Sequence, residues 1–300
     1  MIVCEFEKNL RVGIIQTTLN NEIAWREKGE ITSKMNFESE NMVMEEIRRG
    51  FKEFYERGNM APRIVLIPEY SIPHSGIKKI RKFAKTIDAV VIGGCDLFVD
   101  KNKKAYNKGI IVIPNNWPKL EPANTSTEKY FGKTFFSKTE IDWFDHLGLE
   151  SYSENVNYII NAGEYGNIGI AICADFYDLE RFVIYKGRIH HLIIIAYNKD
   201  CGSFESLATA LSRLLMCNVV ICNTGYYGDS LAFSPYKKEY KRMVYRNTGV
   251  GLFAAQVIEL PVKDLDQEQK YADELYQNLP LQYRKDYKPE FKWPPGYKKY

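Results

Sequence analysis

Short runs of β-branched and aliphatic residues alternate with amphipathic stretches along most of the chain, and no other feature constrains the fold as strongly. Runs that are nearly all apolar must be covered on both faces, and the stretches between them have the period of helices, which is the pattern of an α/β domain. Strands are predicted at residues 10–17, 63–67, 89–93, 109–113, 156–160, 167–172, 191–196, 218–223, 230–233 and 251–260. Between residues 39 and 57, Val43, Ile47, Phe51 and Phe54 share one helical face and Gly58 supplies a stop. A second helix carries Ile77, Ile80, Ala84 and Ile87, and two more are predicted near 177–186 and 204–216. The polar segment 21–36 reads as a loop. So does 114–129, rich in Pro, Asn, Thr and Ser and long enough to suggest a functional role.

Three hundred residues suffice for a core without staples. The six cysteines form no CxxC pair and no regular spacing, which argues against both a zinc site and a disulfide framework. With 41 basic and 38 acidic residues the net charge is only +3, without the basic sweep of a nucleic-acid binder. The longest apolar runs, such as 192–197, are too short to cross a bilayer, and the first residues lack the pattern of a signal peptide. The expectation is a reduced, cytoplasmic protein with no membrane, nucleic-acid or metal partner and no cofactor. After Pro261 the chain becomes rich in tyrosine and charge. One domain is therefore expected over 1–262, with an extension over 263–300 that wraps the surface or reaches a partner subunit.

Three residues stand where chemistry would need them. Cys173 ends the apolar strand 167–172 and opens a segment with acids in its first turn, where a helix N-terminus lowers a thiol pKa. Taken alone it reads first as a small buried hydrophobe, and its neighbours must carry any other reading. Glu69 follows an apolar strand, with Pro68 ending that strand's hydrogen bonding, and so lies at a carboxyl end, where α/β sheets gather ligands. Lys133 is a lone charge among Tyr130, Phe131, Phe135 and Phe136, a setting for a partly desolvated ammonium or for a surface lysine lying over apolar neighbours. Of the four histidines only His74, in a loop past a strand end, is placed to act as a base; His190 and His191 begin a strand and point to opposite faces. Gly249-x-Gly251 and Gly166-x-x-Gly169 lack the remaining glycines of a dinucleotide fingerprint.

Taken in order, Leu66-Ile67-Pro68-Glu69-Tyr70, residues 130–140 and residues 170–175 resemble the Glu, Lys and Cys motifs of the nitrilase, or carbon–nitrogen hydrolase, superfamily. Residues 11–16, Tyr106-Asn107 with 109–114, Asn223-Thr224-Gly225 with 227–230, and 251–260 resemble further segments of that family, so the likeness spans about 9–262. It implies an α/β fold built as a four-layer α-β-β-α sandwich. It also implies Glu69 as general base and acid, Lys133 as oxyanion partner, Cys173 as nucleophile and Glu140 as a second glutamate orienting the lysine or substrate. Lys138 is the alternative lysine; Lys133 is preferred because its seven-residue spacing to Glu140 agrees with the family. The backbone N–H of Ala174 and the stretch from Asn198 are assigned to the substrate. Ala174-Asp175 replaces the Trp-Glu that follows the cysteine in true nitrilases, which favours an amide or N-carbamoyl substrate over a nitrile. Transfer of the acyl group to another acceptor, or a retired member that binds without turnover, are the alternatives, and the family implies a homodimer or higher homo-oligomer.

Overall fold

The computed structural model describes residues 6–119, 123–278, 290–294 and 297–300; Cys4 lies outside them. Twelve strands form two six-stranded sheets. In chain order they are β1 (Asn9–Gln16), β2 (Ile64–Ile72), β3 (Val90–Cys95), β4 (Lys108–Pro114), β5 (Ser126–Gly132), β6 (Ile159–Asn161), β7 (Asn167–Ile172), β8 (His191–Ala196), β9 (Asn218–Asn223), β10 (Ser230–Phe233), β11 (Met243–Asn247) and β12 (Ala254–Pro261). The first sheet runs β12-β1-β2-β3-β4-β5 and the second β6-β7-β8-β9-β10-β11. Each has a parallel trio at its centre, β1-β2-β3 and β7-β8-β9, flanked by antiparallel strands.

Alternation along the strands sorts the side chains into layers. Leu10, Val12, Ile14, Ile64, Leu66, Val90 and Ile92 enter the core between the two sheets. Their neighbours Ile15, Val65, Ile67 and Val91 turn instead to helices α1 (Phe37–Glu56) and α2 (Ile77–Ile87), where they meet Val43, Ile47, Phe51, Phe54, Ile80 and Ala84. Three more helices follow: α3 (Lys138–His146), α4 (Leu179–Tyr185) and α5 (Cys201–Leu215). Phe182 and Tyr185 of α4 and Phe204, Ala208 and Leu211 of α5 cover the outer face of the second sheet. The architecture is therefore the four-layer α-β-β-α sandwich.

Two of the strands, β5 and β11, are not expected from the sequence. Both lie at a sheet edge, and edge strands lack the apolar alternation that marks a strand. Three consecutive residues of β5, Thr127, Glu128 and Lys129, are exposed, which is why the segment 114–129 reads as loop. Segment 21–36 likewise proves structured: a helical turn at Asn21–Ala24, capped by Asn20, leads into a small hairpin of Arg26–Glu27 and Glu30–Ile31. Asp96 fixes this segment by accepting from Trp25 Nε1 at 2.8 Å and from the Met35 N–H at 2.9 Å. Beyond β12, helix α6 (Lys263–Asn278) buries Leu265 and Ala272 beside Phe291 and Tyr297 against Met216, and Phe291 stacks on Tyr236. The described residues of the extension thus pack on the chain's own surface.

Candidate active site

Glu69, Lys133, Glu140 and Cys173 come together at the carboxyl ends of the parallel strands. Pro68 does not end its strand. β2 runs on to Ile72 with all nine residues buried, while its register with β3 slips between Ile67 and Ile72. The slip removes ladder bonds, so a proline without N–H is tolerated, and residues 68–71 swing out of the ladder. Gly94 on β3 makes room: a Cβ there would sit 2.3 Å from the Glu69 Cα. Cys173 follows β7 directly but opens a 3-10 helix, Cys173–Tyr177, rather than the α-helix, which starts at Leu179. Tyr70 has φ 60° and Cys173 φ 44°, conformations that cost non-glycine residues on the order of 1–3 kcal/mol and persist only where surroundings impose them.

Lys133 stands one residue past β5. Its N–H donates to the Asn107 carbonyl at 3.0 Å, and its carbonyl accepts from the Glu154 N–H at 2.9 Å. The next two N–H groups, of Thr134 and Phe135, donate to the Asp175 carboxylate at 3.0 and 2.8 Å. Asp175, buried and paired with Arg181 at 3.3 Å, thereby ties the lysine loop to the turn that carries Cys173. Glu140 is set by a capping box at the start of α3: Ser137 caps the helix, and the Glu140 Oε2 accepts from the Ser137 N–H at 2.8 Å.

The Lys133 ammonium lies between two carboxylates, 2.8 Å from Glu69 Oε1 and 2.9 and 2.7 Å from the two oxygens of Glu140. Glu140 Oε1 also accepts from Asn107 Nδ2 and Tyr70 Oη, each at 2.8 Å. Burial alone would raise the Glu140 pKa, but Lys133, the Ser137 N–H and Asn107 outweigh it and hold the carboxyl below its ordinary value. Glu69 has fewer donors: Lys133 and Asn107 on Oε1, the latter at 2.7 Å, and the Tyr197 N–H on Oε2 at 2.8 Å. Burial, with Glu140 nearby, pushes its pKa up despite Lys133. The two carboxylates are thus driven apart, one kept ionised and one able to take a proton. Lys133 stays charged because Glu140 and Glu69 outweigh the penalty of burial. The Cys173 thiol is pushed well up by burial and by Glu69, against the lowering expected from a helix N-terminus. The environment thus favours the thiol over the thiolate.

Glu69, Glu140 and Cys173 open into a cavity of about 450 Å³, walled by Trp25, Tyr70, Trp143, Tyr197 and Tyr227 among others. Trp25, Tyr70 and Trp143 pack ring against ring at 5.2–5.9 Å. Part of the wall, including Trp25, comes from the segment 21–31, which reads as plain loop in the sequence. None of the described residues of 114–129 lines it: Trp117 and Pro118 bond to Arg63, at the opposite end of β2. Asn198 does line the cavity, and Ala174 is the second residue of the 3-10 helix, where an N–H has no acceptor within the helix. Lys138 is exposed and pairs with Asp142, away from Glu140. His74 bonds to the Leu97 carbonyl and packs edge-on against Phe98, outside the cluster. Sequence reasoning does not single out Asn107, Tyr70 or Tyr197. Asn107 lies within a segment notable only for its likeness, and Tyr197 contributes a backbone N–H that no side-chain pattern reveals. Among the described residues no group of three His, Cys, Asp or Glu side chains is arranged to hold a metal ion.

No family model and no curated protein sequence matches the chain. Solved structures do. XC1258 from Xanthomonas campestris, described as a CN-hydrolase superfamily protein with an arsenic adduct in its active site, superimposes with TM-score 0.61 at 12% identity over 88% of this chain and 95% of its own. Saccharomyces cerevisiae Nit3, of branch 10 of the nitrilase superfamily, gives 0.60 at 13% identity over 94% and 98%. An amidase from Nesterenkonia sp. gives 0.61 at 11% identity over 93% and 99%. The chain therefore shares the fold of solved structures described as CN-hydrolase, or nitrilase, superfamily proteins.

Proposed function

We propose that the chain is a carbon–nitrogen hydrolase acting on a carboxamide or N-carbamoyl group through a thioester on Cys173. The observation that carries this reading is the buried Lys133 shared by two glutamates of opposite pKa displacement, beside a strained cysteine that opens into a cavity. Glu69 Oε2 takes the thiol proton as sulfur attacks the carbonyl carbon. The developing oxyanion is met by the Lys133 ammonium and the Ala174 N–H. Glu69 then gives its proton to the departing nitrogen as the C–N bond breaks. Water attacks the thioester, Glu69 accepts its proton and returns it to the sulfur as the C–S bond breaks, so that the acid product leaves and the Glu69 carboxylate and Cys173 thiol are restored. In the structurally similar Nesterenkonia amidase, a glutamate-to-leucine mutant takes up the acetamide moiety of fluoroacetamide covalently at its active-site cysteine, which supports a cysteine as the nucleophile.

The cavity exceeds what a small aliphatic amide fills. At its rim Arg26 and Lys199 outnumber Glu22, and neither cation has an ion-pair partner among the described residues. An extended amide with an acidic end suits it. A release assay for ammonia or amine across ω-amides, N-carbamoyl compounds and short aliphatic amides, with and without hydroxylamine as acceptor, tests the reading. Turnover of acidic amides with acid as product supports it; hydroxamate as the sole product would reassign the chain to acyl transfer, and silence across all classes would remove the hydrolase reading.

For oligomeric state, Leu179, Val183 and Ile184 of α4 and Leu214 of α5 are exposed apolar residues, and a second copy covering this face is proposed. Sedimentation velocity decides it: a dimer that dissociates in Val183→Lys is expected, and a monomer at all concentrations would contradict it.

A further inference from the structure

Asn107 touches more of the cluster than any residue named for chemistry. It occupies the single position between the strand Lys104–Tyr106 and β4, with 1% of its surface exposed. Its carbonyl accepts the Lys133 N–H, and its Nδ2 donates to Glu69 Oε1 at 2.7 Å and to Glu140 Oε1 at 2.8 Å. The amide orientation follows from chemistry: turned over, its oxygen would face two carboxylate oxygens. That orientation leaves Asn107 Oδ1 buried with no hydrogen-bond partner. A residue kept only for packing would not carry such a cost.

We propose that Asn107 is a positioning residue that occupies Glu69 Oε1, so that Oε2 is the oxygen presented to Cys173. Oε1 already holds Lys133 and Asn107, whereas Oε2 holds only the Tyr197 N–H, a group close enough to Cys173 to lower its thiol pKa slightly against burial. The basic oxygen is thereby placed on the cysteine side, and the ionised form of Glu69 keeps a donor that offsets part of its burial. The inference rests on Glu69 serving as the base, but its test does not require turnover.

The experiment is the pH dependence of Cys173 alkylation by iodoacetamide, read by peptide mass so that the half-buried Cys201 is counted separately, in the full chain and in Asn107→Ala and Asn107→Asp. Loss of a donor to the ionised carboxylate moves the acid-side midpoint up by about one pH unit in Asn107→Ala. It moves further in the isosteric Asn107→Asp, which adds a carboxylate. Where an amide substrate is turned over, the acid limb of kcat/KM moves with it and KM changes less than about threefold. Unchanged midpoints in both variants, with activity falling only as the folded fraction falls, overturn the proposal. So does failure of both variants to fold, which makes Asn107 scaffold. A wild-type enzyme that turns over no amide but shows the shifted midpoints sinks the hydrolase reading and leaves this one standing.

Discussion

Two clusters of charge are buried at opposite ends of the sandwich, and they are built to opposite ratios. At the carboxyl ends of the parallel strands, two glutamates share the one ammonium of Lys133. At the other end, one carboxylate, Asp266, collects three partners: Lys270 at 2.7 Å, Lys299, and His190 Nε2 at 3.2 Å. His190 is fixed as a donor there because its Nδ1 accepts from the Asn167 N–H. Burial would raise the Asp266 pKa, but His190, Lys270 and Lys299 overwhelm it and hold the carboxyl far below its ordinary value. Burial also raises Glu69, and there the single shared ammonium does not overcome it. An excess of base over acid pins a tail to a domain; an excess of acid over base leaves one carboxylate free to move a proton. Of the two clusters, the one at the carboxyl ends has a strained cysteine and a cavity beside it.

Removing the central partner of each cluster separates the two roles. Lys133→Ala leaves two carboxylates facing each other, and a loss of about 3–5 kcal/mol in stability is expected from uncompensated buried charge. Its kcat/KM is expected to fall at least ~10²–10³-fold, as for loss of an oxyanion partner. Denaturant titration and steady-state kinetics read the two effects. Stability loss with unchanged kcat/KM would make the first cluster merely structural.

Asp266→Asn is expected to cost about 2 kcal/mol and leave kcat/KM unchanged. Because the folded pKa of Asp266 lies below its unfolded value near 3.9, its contribution is present above about pH 4 and is lost as pH falls toward the lowered value. The variant's stability is therefore expected to depend less steeply on pH below about 4, measured by urea unfolding at several pH values. For Glu69 the displacement is upward, so the acid limb of kcat/KM is expected above the ordinary glutamate value near 4.3, with activity lost as pH falls through it. A limb at or below that value would put a different group in the role of base. The smallest effect belongs to Lys138→Ala, whose pair with Asp142 is solvent-exposed and screened; activity and stability are expected to match the wild type.

Much of this arrangement is legible in the residues. The central strands read cleanly because burial on both faces makes them continuous apolar runs: β7, β8, β9 and β10 fall where the pattern puts them. The edge strands β5 and β11 do not, since half their side chains meet water. Pro68 misleads for a related reason. A proline signals a strand end only where a ladder bond is due, and the register slip beside Gly94 removes that requirement. The four candidate site residues are legible as an ordered set, and the structure brings Lys133 rather than Lys138 to Glu69. What eludes the sequence are contributions without a distinctive type or spacing: the Tyr197 N–H, the Asn107 amide at a turn, and a wall formed by residues 21–31 that is held through Asp96.

The central claim is that Cys173 carries the acyl group. Intact-mass analysis of the enzyme quenched during turnover of an amide substrate tests it most directly, followed by peptide mapping and repeated with Cys173→Ala. The expected result is an acyl adduct on Cys173 alone, with neither adduct nor product in the folded variant. An unmodified Cys173 during turnover, with product formed at the same rate by Cys173→Ala, would contradict it.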